Sequence, residues 1–432
     1  MSWRNWAGTE SAAPERVLTP RSADELAAAV KAAAERGKRL KAVGAGHSFT
    51  GAAVAEQVAV RLDGLASIMA LDAASGQVTV GAGIGLAKLS LGLAAADLAM
   101  ANLGDIDKQT LAGAISTGTH GTGARLGGLA TQVAGLDLVT ADGSVLSCSA
   151  DENADVFDAA RISVGALGVL ASVTLQCVPA FLLRAQEGPI PLDDTLDGFD
   201  ELAEGNDHFE FHWFPHTEVA LTKRNNRVPD GTPASPVPAV RGWVDDELLS
   251  NRVFGLTNRV TAWRPSLALR VNRIAARALS AREYTDASYK VFCSQRDVVF
   301  RESEYAVPRE QVVGVIRELR SWISRSGEHL PFPIEVRVAA ADDIWLSTAY
   351  GRDTAYVAVH QYHRLEHRRY FDAFEQIALS VGGRPHWGKL HTLGPDQLRP
   401  RYPRYDDFLA VRDRLDPARS FANPYTAQVF GP

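Results

Sequence analysis

Val43-Gly44-Ala45-Gly46-His47-Ser48-Phe49-Thr50 follows an apolar-rich segment, Arg39 to Val43, that reads as a short strand. Two glycines flank a small residue, so the backbone can turn tightly and approach a ligand closely. Backbone N–H groups in such a turn form an anion-binding nest that suits a pyrophosphate. His47 then sits beside the phosphate site, within reach of a cofactor's ring. No third glycine follows at the spacing of a dinucleotide fingerprint, and no Gly-Lys-Ser/Thr ends the loop, so two common phosphate motifs are excluded.

Gly113-Ala114-Ile115-Ser116-Thr117-Gly118-Thr119-His120-Gly121-Thr122-Gly123 is a second glycine-rich stretch. Four glycines and four hydroxyl residues supply many donors and little bulk, which fits a loop laid along a phosphate or an isoalloxazine ring. A flexible surface loop has the same composition. Two such loops within one alternating α and β stretch favour a large cofactor.

The sequence around them alternates helix and strand signals up to about residue 180. Ser22-Ala23-Asp24-Glu25 is a capping box, followed by a helical face of Leu26, Val30, Ala33 and Ala34 and a stop at Gly37. Val58 to Leu62 and Val78 to Val80 read as strands, and Leu86 to Leu98 as a helix. Leu136 to Thr140 and Val145 to Ser147 flank a hairpin turn at 141–144. Val169 to Val178 is a last strand, closed by Pro179. Residues 225–240, rich in Pro, Asn and Gly, read as a loop. Strand signals resume at Val298 to Tyr305, Ile334 to Val338 and Tyr356 to His360.

Between Arg252 and Arg282 stand seven arginines and no acid. A basic amphipathic helix can bind a membrane surface or an acidic partner. The preferred reading is a solvated arginine face over a buried stripe of Leu267, Val271, Ile274 and Ala278.

At 432 residues the chain predicts two domains. Apolar content of 46% and charged content of 22% are those of a globular protein, and a net charge of −6 argues against general nucleic-acid binding. Cys148, Cys177 and Cys293 give neither a disulfide framework nor a metal spacing, and fit free thiols in a reducing compartment. Met1 to Trp6 lacks the apolar core of a signal peptide, and no apolar run reaches eighteen residues, so a cytoplasmic protein without a transmembrane helix is expected.

The G-A-G-H-S-F loop, the S-T-G-T-H-G-T-G loop and His386-Trp387-Gly388-Lys389 together resemble the vanillyl-alcohol-oxidase family of flavoproteins. Within it the chain is similar to the aldonolactone oxidoreductases, the L-gulono-1,4-lactone and D-arabinono-1,4-lactone oxidases or dehydrogenases, with alditol oxidases as the next relatives. The similarity runs from Trp6-Ala7-Gly8 to Asn423-Pro424-Tyr425. It implies an α+β, two-domain, PCMH-type FAD-binding fold. Residues 1–179 would form the FAD-binding domain, 180–400 a mixed-sheet cap, and 401–432 a segment returning to the FAD domain.

The resemblance also assigns residues. The cofactor site would comprise Val43, Gly44, Ala45, Gly46, His47, Ser48, Phe49, Gly104, Asp105, Gly113, Ser116, Thr117, Gly118, Thr119, His120, Gly121, Gly123, Val169, His386 and Lys389. His47 matches the position where covalent relatives attach the flavin, and a neutral imidazole is a nucleophile near pH 7. His120 is expected to be a structural or phosphate-proximal donor. Glu335 and Arg337 alternate on a strand and share one face, which is costly unless they are paired or used. A structural ion pair explains them; in relatives the matching Glu-x-Arg contacts substrate hydroxyls. His360 and Tyr362 repeat that spacing, and a bulkier Tyr362 would narrow the pocket. Lys389 is a compact cation suited to the flavin N1–C2 edge, with Trp387 as an aromatic plate beside it. By family position Gly104 leaves space for oxygen near flavin C4a, and Asp105 would bind a substrate hydroxyl or cap a turn.

The expected activity is FAD-dependent oxidation of a sugar-1,4-lactone, with a hydride passing to flavin N5 and oxygen reduced to hydrogen peroxide. The partners are then a polyhydroxy lactone or polyol and molecular oxygen, with no metal. Glu335, Arg337, Lys389 and His360 are the catalytic candidates, with the proton acceptor open among Glu335, His360, Lys389 and ordered water. The alternatives are an aldonolactone dehydrogenase using a cytochrome or another acceptor, an alditol oxidase, or a flavin-binding protein without turnover.

Overall fold

Three larger sheets and two two-stranded pairs run through the described residues. The computed structural model describes residues 2–238, 254–294 and 297–432, and within a helix the side chain of residue 278 is outside the description. Arg252 of the basic segment and residues 239–240 of the expected loop also fall outside it. The loop itself begins after Arg227, because the strand Val219–Arg227 extends further than turn residues predict.

The N-terminal half holds a parallel three-stranded sheet, in the order Arg16–Leu18, Val58–Arg61, Leu40–Val43. It also holds an antiparallel five-stranded sheet, in the order Val145–Ser149, Val133–Val139, Val169–Gln176, Gln77–Gly81, Ile68–Asp72. The expected hairpin pairs Val139 with Val145. Ser22 caps the helix Ala23–Glu35 by accepting from Glu25 N–H (3.1 Å), but the Glu25 carboxylate returns to the Arg21 N–H (2.8 Å) rather than to that of Ser22. The helix expected over 86–98 stops at Ala94, and Leu98–Ala99 pairs as a strand with Val178–Pro179.

The remainder forms an eight-stranded sheet in the order Arg282–Ala287, Leu182–Pro191, Val219–Arg227, His208–Trp213, Ile334–Ala339, Thr354–Tyr362, Phe300–Pro308, Arg384–Pro385. The sheet expected to be mixed is antiparallel in every ladder. A parallel contact enters only as an isolated bridge, Gly123 to Ala339.

Its central strands are buried on both faces, and the two faces differ in kind. Phe209, Phe211, Ile334, Val336, Val338, Val357 and Val359 belong to the main apolar core. The helices Val312–Ser326 and Arg368–Ser380 add Val315, Ile316, Leu319, Ile323, Phe371 and Phe374 to it. Period-two alternation turns the intervening residues the other way. That opposite face carries Glu210, Glu335, Arg337, His360, Glu302 and Glu304.

The last residues close against the N-terminal half of the chain. Asn423 caps the helix Pro424–Phe430, accepting from Thr426 N–H (2.9 Å). Its Nδ2 donates to the carbonyls of Gly51, Ala52 and Val54 at 2.8, 3.2 and 3.0 Å. Lys41, also buried, donates to Val164 O, Gly165 O and Phe421 O at 3.1, 3.0 and 3.1 Å, and burial pushes its pKa down to about 7. Asn423→Ala removes a cap and leaves buried carbonyls unpaired, so a loss of about 2–4 kcal/mol is expected. Denaturant unfolding of the loaded protein measures it, and an unchanged midpoint counts against this clasp.

Candidate active site

Two hollows meet at His47. A narrow cleft of about 100 Å³ is lined by Gly44, Ala45, Gly46, His47, Ser48, Gly113, Ser116, Thr117 and Val169. A cavity of about 380 Å³ beside it is lined by His47, Ser48, Phe49, Gly104, Asp105, Thr117, Thr119, His120, Glu335, Arg337, His360, His386 and Lys389. Val43, Gly118, Gly121 and Gly123 are in neither wall. The second loop is also less of a loop than its composition implies, since Leu111–Ser116 is helical and Thr110 caps it.

The first loop works through backbone geometry. Gly46 has φ +74°, a left-handed conformation that favours glycine. A Cβ on Gly44 would lie 2.6 Å from Thr110 Oγ1, so the two loops approach to a distance that only glycine permits. Phe49 N–H donates to Gly388 O (2.7 Å) and Thr50 Oγ1 to Trp387 O (3.1 Å), which joins the first motif to the last. Trp387 is not a plate over the cavity. It is fully buried beside Tyr402 and Phe430, and its indole N–H donates to Leu346 O (2.8 Å). Tyr362 is likewise outside the cavity wall, buried and stacked on Phe332 at 6.5 Å, so it does not narrow the pocket.

The cap strands bring the charged candidates together by register. Glu210 lies opposite Arg337, His212 opposite Glu335, and Glu302 opposite His360. Arg337 pairs with Glu335 and also meets Glu210 (3.3 Å) and Asp105 (3.5 Å). Burial opposes the guanidinium charge, but Glu335, Asp105 and Glu210 outweigh it and hold its pKa well above the ordinary value.

Lys389 is the second centre of charge. Its ammonium meets Glu302 at 2.5 Å and Glu304 at 3.9 Å, and lies 5.1 Å from the Phe49 ring centroid. Burial works against the ammonium, yet the two carboxylates raise its pKa above the usual lysine value. Burial likewise works to raise both glutamates. Lys389 and His360 outweigh it at Glu302, and His120 and Lys389 at Glu304, so both stay below the ordinary carboxylate range.

The histidines are ordered by what accepts from them. His360 Nδ1 donates to Pro333 O (2.9 Å), because a carbonyl can only accept. Its Nε2 lies 3.4 Å from Glu302. His120, expected to be structural or phosphate-proximal, donates from Nδ1 to Gly121 O (2.9 Å), meets Glu304 through Nε2 (3.0 Å) and stacks on Tyr356. His386 spends its Nδ1 lone pair on Gly388 N–H (3.0 Å), and burial pulls its pKa down to about 4. Its other nitrogen therefore carries a proton. The trio His120, Glu304 and His386 is close enough to suggest a metal cage, but this proton order fits a hydrogen-bonded carboxylate better. His47 stacks on Trp6 at 6.0 Å, and burial, Lys389 and Lys108 lower its pKa, which favours the neutral ring.

Sequence reasoning missed Glu210, Glu302, Glu304 and Gln109. Arg301-Glu302-Ser303-Glu304 carries the same alternation as Glu335-Val336-Arg337, and that signal was available. Gln109 had no motif. Its Nε2 donates to Thr119 Oγ1 (3.1 Å), while its buried Oε1 has no partner among the described residues. Gln109 lines both hollows. An acceptor left open at their junction, beside a glycine-walled cleft, fits a dinucleotide whose ring offers an N–H.

The sequence profile of the D-arabinono-1,4-lactone oxidase family matches residues 173–429, and that of an FAD binding domain matches residues 14–149. L-gulono-1,4-lactone dehydrogenase of Mycobacterium tuberculosis is 44% identical over 432 residues, covering 100% of this chain and 99% of that protein. L-gulonolactone oxidase of Bos taurus is 34% identical over 443 aligned positions, covering 100% and 98%. The crystal structure of cholesterol oxidase from B. sterolicum superposes with a TM-score of 0.82 over 100% of this chain and 96% of that one; at 19% identity this likeness speaks for the fold. A profile matching more than half of the chain, with end-to-end identity to a lactone dehydrogenase, makes this an FAD-dependent oxidoreductase of the D-arabinono-1,4-lactone oxidase family.

Proposed function

We propose that the chain oxidises a ring hydroxyl of a neutral aldono-1,4-lactone, of the L-gulono or D-arabinono type, with molecular oxygen as the final acceptor. Residues 1–179 and 401–432 would hold the FAD and 180–400 would cover the substrate. The observation that carries this reading is the polar sheet face itself. Glu335, Arg337, His360, Glu302 and Lys389 converge on one cavity that shares His47, Ser48, Gln109 and Thr117 with the glycine-walled cleft. A cavity of about 380 Å³ suits a small molecule. Buried carboxylates at Glu302, Glu304 and Glu335 disfavour a free sugar acid and favour an uncharged polyhydroxylated ring.

Bound FAD supplies a two-electron acceptor, which no side chain here can provide. The residues do the rest. Glu335 and Arg337 hold substrate hydroxyls, fixed by Glu210 and Asp105 behind them. His360 takes the hydroxyl proton at Nε2, since Nδ1 is committed to Pro333 O. Glu302 then faces the ring that has become positive. Lys389 stabilises negative charge that develops on the cofactor side of the cavity. His47, whose lowered pKa favours the neutral ring, would be the residue that anchors the flavin, at the junction of the two hollows.

A second reading, a dehydrogenase with a non-oxygen acceptor, is favoured by the name of the 44% identical mycobacterial relative. Peroxide formed with substrate in air, against turnover only with an added dye or cytochrome, separates the two. An anaerobic panel of L-gulono-1,4-lactone, D-arabinono-1,4-lactone and xylitol, followed at the flavin absorbance, tests the substrate class. Bleaching by xylitol alone would overturn the lactone reading.

The wild-type protein should stay yellow after acid precipitation, and His47→Ala should release its flavin to the supernatant. Complete loss of colour from the wild type would refute the covalent link. Arg337→Ala should slow anaerobic flavin reduction by ~10²-fold or more, lowering kcat and kcat/KM together. A wild-type reduction rate would make Arg337 a structural residue. Glu302→Gln removes the strongest attraction holding the Lys389 proton, so Lys389 deprotonates at lower pH. The alkaline limb of kcat should move down in pH, an effect absent if Glu302 only packs. At Gly104 an added Cβ meets His120 O and Thr119 Cγ2 at 3.3 Å, a fit that needs only a small shift. Gly104→Ala should therefore fold, and should slow reaction of the reduced enzyme with oxygen far more than its reduction by substrate. Equal effects on both half-reactions would count against an oxygen path there.

A further inference from the structure

The helices Phe254–Trp263 and Ala268–Ala278 are amphipathic in the wrong direction for a free surface. On the first, the buried residues are Asn258 and Thr261, while Leu256 is 60% and Trp263 78% exposed, with Val260 exposed between them. Leu256, Val260 and Trp263 are spaced i, i+4, i+7 and so form one stripe. On the second helix Ile274 is 67% exposed, and the buried residues are Ala268 and Asn272, whose amide donates to Pro215 O (2.9 Å) and Leu330 O (2.8 Å). Of the apolar stripe expected to be buried, Ile274 is exposed and Leu267 and Val271 are half-buried, while the side chain of residue 278 lies outside the described residues. The helix docks on the end of the cap sheet through Ala268 and Asn272, and Ile274 points to solvent.

We propose that this helix pair docks on an anionic phospholipid surface. Scattered exposed apolar residues need no explanation, but an ordered stripe of large ones, on helices that bury Asn258, Thr261 and Asn272 beside Phe254, Ala262 and Ala268, marks an interaction face. Leu256, Trp263 and Ile274 are each more than half exposed, which suits insertion into a soft interface. Charge selects the partner. Arg259, Arg264, Arg270, Arg273 and Arg277 are exposed around the stripe, and no acid occurs from 254 to 282, although the chain as a whole carries −6. The Arg264 guanidinium lies 5.2 Å from the Trp263 ring centroid, keeping a cation beside an indole, a combination suited to the headgroup level. Insertion here would bring the bilayer near the substrate cavity. Phe254, at the start of the same helix, packs on Phe332 (4.8 Å), whose ring neighbours Phe300 and His360.

The test is cosedimentation of the flavin-loaded full chain with vesicles of phosphatidylglycerol and phosphatidylcholine, against phosphatidylcholine alone. Binding should require phosphatidylglycerol, weaken steeply with salt, and shift Trp263 fluorescence to the blue. Leu256→Ser with Trp263→Ser, and separately Arg259→Gln with Arg264→Gln, should each weaken it by about tenfold or more while flavin content and turnover stay at wild-type level. The proposal is overturned if phosphatidylglycerol vesicles leave the protein in the supernatant or if the apolar double variant binds them as the wild type does. It is equally overturned if sedimentation shows a self-associated protein that the apolar variant returns to monomer, since a second copy would then own the face. Binding of poly-glutamate as tight as that of vesicles, and indifferent to the apolar substitutions, would assign the surface to an acidic protein instead.

Discussion

Buried charge on one face of an antiparallel sheet is the constraint on which this structure turns. A guanidinium or ammonium taken out of water costs several kcal/mol unless its partners are already in place. Arg337 has three carboxylates about it, and Lys389 has two. Removing either cation would strand buried carboxylates, and removing the carboxylates would strand the cation. The network is therefore held by strand register. A slip of one residue would turn Glu335 and Arg337 into the helix layer and bring Val336 into the cavity. The apolar helices behind the sheet and the charged cavity before it enforce the same register from opposite sides.

The second glycine-rich stretch is fastened to this sheet as well as to the N-terminal core. Thr122 Oγ1 donates to Phe209 O and accepts from Val338 N–H, and Gly123 N–H donates to Val338 O (2.9 Å). His120 reaches Glu304, and His208 Nδ1 donates to Thr122 O (2.8 Å). At Gly121 a Cβ would fall 2.2 Å from Leu103 O, so its lack of a side chain lets the stretch press against the turn that presents Gly104 and Asp105. From the other side Ser294 N–H donates to Asp105 O (2.8 Å). Glycines away from the hollows thus position residues that line them: Gly118, Gly121 and Gly123 are in neither wall, while Ser116, Thr117, Thr119 and His120 are.

What was legible in the sequence follows from the range of the signals. The capping serine, the hairpin about Gly143 and the alternation of Glu335 and Arg337 are local, and local periodicity survives folding. Composition misled where the same residues serve two states, as when Gly113 to Ser116 proved helical under the Thr110 cap. Trp387 sits among cavity residues in sequence but turns inward, because a full indole finds its apolar volume only under the C-terminal helix. Glu302 and Glu304 escaped notice because a charged run beside Arg301 resembles a solvated edge. Only the strand register, which places Glu302 against His360, turns that run into part of the site. The stripe on Ala268–Ala278 failed for the opposite reason: periodicity identifies a face, but not whether the face meets the core or something outside the chain.

The groups that touch substrate in the proposed reaction are separable from those that would set its electron acceptor. Glu335, Arg337, His360 and Lys389 are fixed by ion pairs and backbone acceptors, and little can change among them without exposing a buried charge. Gly104 stands apart from that network. It contributes no charged group, and a methyl group there would meet only a carbonyl and a threonine methyl. A family can therefore keep one substrate cavity and vary its acceptor through such uncharged positions at low cost in stability. The mycobacterial dehydrogenase at 44% identity and the bovine oxidase at 34% carry different acceptor names over nearly their whole lengths, which accords with that division. Overall identity, 44% to a dehydrogenase and 34% to an oxidase, is therefore a weak guide to the acceptor.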